Sequence, residues 1–119
     1  MEIGFPEGAA TVIALSDGSA SIYFSSGGGS IGGIGHESIR KAAQAMVNLV
    51  AKFQPQMTTA KEVPLPKNGE TIFYALTDGG VFTANAAEND LGEQRHSLSP
   101  LFFAGQEVIT QYRLVEGRK

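Results

Sequence analysis

Apolar and polar positions change period several times along this chain, and each change marks an element. Residues 9–25 read as a β-hairpin. Ala10 to Leu15 is almost wholly apolar, Asp17-Gly18 follows, and Ala20, Ile22 and Phe24 then alternate with Ser19, Ser21, Tyr23 and Ser25. Asp-Gly there is a strong hairpin signal, because both central positions of a type I′ turn need positive φ. After a glycine cluster at Gly27 to Gly35 the period becomes helical. Over residues 37–53, Ile39, Ala42, Ala43, Met46, Val47, Val50 and Phe53 fall on one face, and Lys41, Gln44, Asn48 and Lys52 on the other. Glu37 lies in the first turn, where the helix dipole favours an acid. Pro55 ends the helix by disfavouring the helical conformation at Gln54.

The second half repeats the scheme. Lys61 to Pro66 alternates, with Val63 and Leu65 on one side, but Pro64 and Pro66 cannot donate to a ladder, so this segment is an edge strand at best. Lys67-Asn68-Gly69 is a turn. Residues 70–86 form a second hairpin about Asp78-Gly79. A last helix begins with Ser99 as N-cap and Pro100 at its first position, continues through Leu101, Ala104, Val108, Tyr112 and Val115, and stops near Gly117. Gly105 inside it costs about 1 kcal/mol against alanine, which points to close packing at that place.

The two halves, 1–57 and 58–119, match at several places. Ile3-x-Phe5-Pro6 corresponds to Val63-x-Leu65-Pro66, Ala14-Leu15-Ser16-Asp17-Gly18 to Ala75-Leu76-Thr77-Asp78-Gly79, and Ile31-Gly32 before His36 to Leu91-Gly92 before His96. The offsets are 60, 61 and 60 residues. Such a pattern fits duplication of a hairpin–helix unit. The expected fold is therefore a single α+β domain over residues 1–119, with one antiparallel sheet of four to six strands and two helices in the order ββαβββα. That order of elements resembles the longin, roadblock and profilin-like group of small domains, although a roadblock domain also begins with a helix that this chain lacks. The resemblance implies a non-catalytic scaffold that dimerises or binds other proteins.

Composition narrows the function classes. The chain has no cysteine, which removes disulfide frameworks, cysteine zinc sites and thiol nucleophiles together. Its net charge of −3 argues against nucleic acid as the main partner. No apolar run approaches the ~20 residues that span a bilayer. MEIGFPEG also lacks the basic start and apolar core of a signal peptide, so the expected location is cytoplasmic and the expected partner neither nucleic acid nor membrane.

Candidate chemistry centres on the glycine segment. Gly27-x-Gly29-x-x-Gly32 is a literal dinucleotide fingerprint between a strand and a helix, where backbone amides and a helix N-terminus grip phosphate. Six glycines in nine residues make such matches easy, however, and no βαβ unit surrounds them. Gly28-x-Ser30-x-Gly32 also matches a nucleophile elbow, with Asp78, Asp90 and His96 downstream, yet that motif belongs to a parallel sheet. His36 and His96 are the only histidines, each after a glycine loop, and read either as paired ligands or as residues that close a loop through a backbone hydrogen bond. The acidic run Glu88, Asp90 and Glu93 lacks the ligand series of a Ca²⁺ loop.

Two readings follow. The first is a non-enzymatic interaction or scaffold module, a homodimer or partner of another protein, without a cofactor. Its physical support is that Val12 and Ala14 make one face of a central strand apolar while Ile13 and Leu15 do the same for the other, so both sheet faces want cover. The alternative is a binder of a small anion or nucleotide, or a minor enzyme, using Gly27, Gly29, Ser30, Gly32 and His36 with His96.

Overall fold

A computed structural model describes residues 1–117. Seven strands form one antiparallel sheet: β1 (Glu2–Phe5), β2 (Gly8–Ala14), β3 (Ala20–Phe24), β4 (Gly29–Ser30), β5 (Thr58–Thr59), β6 (Glu70–Thr77) and β7 (Gly80–Ala87). Their spatial order is β4-β3-β2-β1-β6-β7-β5. Three helices accompany them: α1 (Glu37–Phe53), α2 (Glu88–Gly92) and α3 (Ser99–Glu116). The α+β class and the single antiparallel sheet agree with the sequence pattern, but the sheet has seven strands where the pattern predicts four to six, and the short α2 adds a third helix to the expected two.

The hairpins lie where alternation put them, but their turns differ from the expected type. The β6–β7 loop is the two residues Asp78-Gly79, and neither has positive φ; Gly80 after them does. The β2–β3 loop runs from Leu15 to Ser19, with Gly18 at φ 93° and the Asp17 carboxylate accepting from the Ser19 amide at 2.8 Å. In the first hairpin the predicted turn glycine itself supplies the positive φ that L-residues avoid, and in the second the glycine just past the predicted centre does so.

The helices α1 and α3 pack on each other and on the same face of the sheet. Ile39, Ala42, Ala43 and Met46 of α1 meet Leu101, Phe102, Val108 and Tyr112 of α3 over Ile3, Val12, Ala20, Ile22, Phe73 and Ala75 of the strands. The two helices run antiparallel: Gly33, before α1, bonds to Tyr112 near the end of α3, and Ser97, before α3, bonds to Gln56, after α1. The expected close packing at Gly105 is present, because a Cβ there would lie 2.7 Å from the Met1 sulfur and 3.3 Å from Met46 Cε. Helix α3 starts one residue earlier than its pattern suggested. Leu98 is the N-cap and Ser99 is already helical, with a buried side chain.

The segment Lys61 to Pro66 is not a strand, and the prolines explain why, since neither can donate to a ladder. It crosses the face of the sheet opposite the helices as a strap. The Tyr74 hydroxyl donates to the Pro64 carbonyl at 3.3 Å, Pro66 is buried, and a Cβ on Gly4 would collide with the Lys67 carbonyl. Ile72 sits on this outer face and is nonetheless only 4% exposed, so the strap covers the middle of the sheet. Three strands are missing from the expected set: the two-residue edge strands β4 and β5, and β1, which lies at the sheet centre. It pairs with β2 from Glu2↔Thr11 to Phe5↔Gly8, and with β6 at Glu2↔Ile72 and Ile3↔Thr71. The matched halves therefore share hairpin and helix but not every environment: Ile31 is exposed, whereas its counterpart Leu91 is fully buried.

Candidate functional site

The glycine segment leaves β3, turns at Gly27 and Gly28, both at positive φ, and returns as the edge strand β4. It then passes through a 3₁₀ turn at Gly33–Gly35 into α1. One side chain from far along the chain anchors it. The Tyr112 hydroxyl accepts from the Gly33 amide at 2.9 Å and donates to the Ala20 carbonyl. Burial holds the Tyr112 phenol above its ordinary pKa, so it remains a hydroxyl able to do both. Only glycine fits at position 33, where a Cβ would press on Tyr112 and on Ile39 Cγ2.

This anchoring occupies much of the backbone that a phosphate would need. The Gly27 amide donates to Phe24, Gly35 to Gly32 and His36 to Gly33. A Cβ on Gly27, Gly28, Gly32 or Gly35 would meet nothing within 4 Å, so these positions line no crowded cradle. His36 is the N-cap of α1 but makes no side-chain cap hydrogen bond. His96 closes its own turn, its Nδ1 accepting from the Leu98 amide at 3.0 Å. Because α1 and α3 run antiparallel, the two histidines lie at opposite ends of the helix layer, separated by roughly the length of α1, about 25 Å. The structure thus places Gly27, Gly29, Ser30, Gly32 and His36 on one loop and does not bring His96 to them.

Nor does the Ser–acid–histidine order of the sequence become a catalytic constellation. Ser30 donates to Glu116 Oε1 at 2.6 Å, and Asp90 pairs with Arg95 at 2.9 Å. Arg95 also pairs with Glu93, so two of the three acids of the run share one guanidinium. Among the described residues, no group of three or more His, Asp or Glu side chains is placed to hold a metal ion. Among the described residues, no helix is long and apolar enough to cross a membrane.

Two surfaces remain that the motifs did not single out. One is the outer sheet face. Ile13 is 40% exposed and Tyr23 47%, while Val63 and Leu65 on the strap are 70% and 73% exposed. The other is a cleft of about 420 Å³ on the helix side, between the Phe5–Phe24 end of the sheet and the second half of α3. Ile3, Ala10 and Ile22 form its floor, and Phe5, Phe24 and Ile109 its apolar walls. Arg113, Glu116, Glu88 and Ser30 stand at its polar rim. Of the loop residues, Gly29 and Ser30 reach it. The only sequence signal for this cleft is that Phe5 and Phe24 share the parity of the buried Ile3 and Ile22. No family model matches the chain, and no curated protein or solved structure matches it either.

Proposed function

We propose that this chain is a non-enzymatic interaction domain that acts as a homodimer, joined through the sheet face that its helices leave open. One observation carries the reading: both long helices lie on the same side, so the opposite face keeps Ile13 and Tyr23 exposed, and the strap that crosses that face exposes Val63 and Leu65 as well. Exposed apolar area of this kind favours burial against a second surface. A second copy is the simplest occupant, because a two-fold contact needs only one self-complementary patch. Association through a sheet edge is disfavoured, since both edges end in two-residue strands, Gly29–Ser30 and Thr58–Thr59. The same kind of role is what the resemblance to longin, roadblock and profilin-like domains implies.

The test is sedimentation velocity of the whole chain against concentration, alongside a Tyr23→Glu, Leu65→Glu variant. The expected result is a salt-insensitive dimer for the unaltered chain and a folded monomer for the variant. A monomer at every concentration, or a dimer that the variant leaves unchanged, overturns the reading. A small-ligand role is favoured by a separate observation, the cleft beside Gly29 and Ser30.

A further inference from the structure

The cleft lies on the helix side of the sheet, away from the face assigned to dimerisation, and its chemistry stands alone. Its two phenyl rings belong to β1 and β3, with β2 between them: Phe5 is opposite Gly8, and Phe24 opposite Ala10. Small residues on the middle strand and large rings on either side produce a trough. Both rings remain more than two-fifths exposed, although their strand neighbours Ile3 and Ile22 are buried in the core. Ile109 of α3 closes the trough from above. The volume lies within the range of small-ligand sites, which combine apolar walls with a few convergent polar groups.

The rim chemistry selects among apolar ligands. Arg113 has no ion pair and no side-chain hydrogen bond among the described residues. A guanidinium of that kind is a ready partner for a carboxylate, which it can bind through two parallel hydrogen bonds. Two acids share the same rim. Glu88 begins α2, and Glu116 is held in place by the Ser30 hydroxyl through one oxygen, which leaves its other oxygen available. A plain hydrophobic acid would satisfy Arg113 but meet two carboxylates, and a plain hydrophobic amine would meet the guanidinium. A molecule carrying both an ammonium and a carboxylate next to an apolar group answers all three charges.

We propose that this cleft binds a free apolar α-amino acid, with its side chain between Phe5 and Phe24, its carboxylate on Arg113 and its ammonium on Glu116 or Glu88. The proposal does not rest on the dimer.

The experiment is a two-dimensional amide NMR titration of the whole chain with L-phenylalanine and L-leucine. Phenethylamine, which lacks the carboxylate, and 3-phenylpropionate, which lacks the ammonium, are titrated in parallel. The expected result is saturable shifts at Phe5, Phe24, Ile109 and Arg113, with the amino acids binding at least about tenfold tighter than either half-molecule, since one charge-assisted contact is worth roughly a factor of ten. Arg113 is exposed, so Arg113→Gln leaves the fold intact by circular dichroism, and it lowers L-phenylalanine to the level of phenethylamine. Absence of localised shifts at millimolar amino acid, equal binding of a half-molecule, or an Arg113→Gln variant that binds as before would each overturn the assignment.

Discussion

Tyr112→Phe is the substitution with the most to say about this fold. It removes one oxygen and leaves the ring, so packing is retained and only two hydrogen bonds are lost. Tyr112 is buried, 79 residues from Gly33 and 92 from Ala20 along the chain. The Ala20 carbonyl lies on the side of β3 facing away from β2, because the residues that bond to β2 are its neighbours in the alternation, as the Leu15 amide to Ser19 carbonyl bond shows. Edge strand β4 covers only Ile22 and Tyr23, so neither strand satisfies that carbonyl. The variant leaves a donor and an acceptor unpaired in a buried setting, at about 1–3 kcal/mol each. Partial water entry brings the sum to roughly 2–4 kcal/mol, a large share of the ~5–15 kcal/mol that holds a domain together. For a chain of this length that lowers the melting temperature by roughly 8–16 °C.

Urea unfolding followed by circular dichroism measures the loss, with an unchanged slope expected if only stability changes. Amide exchange localises it: protection at Gly33 falls by more than protection in the centre of α1. Tyr23→Phe is the control, since that ring lies on the exposed outer face, and its stability should stay within about 0.5 kcal/mol. A Tyr112→Phe loss below about 0.5 kcal/mol, with Gly33 protection intact, would refute the claim that this hydroxyl anchors the loop.

Three further outcomes are expected. Gly33→Ala forces a methyl group against Tyr112 and Ile39 and should cost about 1–3 kcal/mol, whereas Gly35→Ala points into open space at an ordinary φ and should be neutral or slightly stabilising; urea midpoints of the two variants decide it. Gly4→Ala drives the Lys67 carbonyl off the sheet, so the strap should lift, uncover Ile72 and raise binding of a hydrophobic dye, with no change in dye binding counting against the strap as a cover. Burial lowers the Met1 α-ammonium of the 119-residue chain from 8.0 to about 6, against a smaller opposing pull from Glu2. Its native pKa is depressed, so the unfolded chain holds more protons between these values. Stability from this group is complete above pH 8 and is lost by about 2–3 kcal/mol as pH falls to 6. Unfolding of a His36→Gln, His96→Gln chain across that window measures it, and a flat profile would show the amine to be solvated.

The legible parts of this fold are those whose cause is local. Helix α1 follows from apolar residues at spacings of three and four, and both of its boundaries match, but Pro55 does not act as expected: Gln54 keeps a helical conformation, φ −52° and ψ −39°, and the chain tightens into a 3₁₀ turn at Gln54–Gln56 with the proline at its start. The hairpins follow from alternation and Asp-Gly. The side on which α3 packs was not legible, because strands such as β2 carry Val12 on one face and Ile13 on the other and so permit either answer. The strap was misread as a strand because Val63 and Leu65 alternate as strand residues do, while its true attachments, at Tyr74, Gly4 and Ile72, depend on contacts with distant positions. The histidine spacing suggested a pair, but the antiparallel course of the helices sends equivalent positions to opposite ends. The cleft was invisible for a related reason: Phe5, Phe24 and Arg113 come together only after the sheet and α3 are assembled.

The position of β1 has a consequence for how the molecule folds. Each hairpin, β2–β3 and β6–β7, joins neighbours in sequence and needs little loop closure to form. Strand β1 is the only ladder between them, four residues long and registered with β6 at two pairs. That junction brings Glu2 to Ile72, across most of the chain, so it closes late and carries the greatest entropic penalty of any strand pairing in the sheet. The two halves can organise separately, and the first few residues act as the zip that makes them one cooperative unit. Pulse-labelled exchange should therefore protect both hairpins before Glu2 and Ile72, whose backbone groups face each other across that junction, and weakening β1 should slow folding more than an equal loss of stability placed at a hairpin tip.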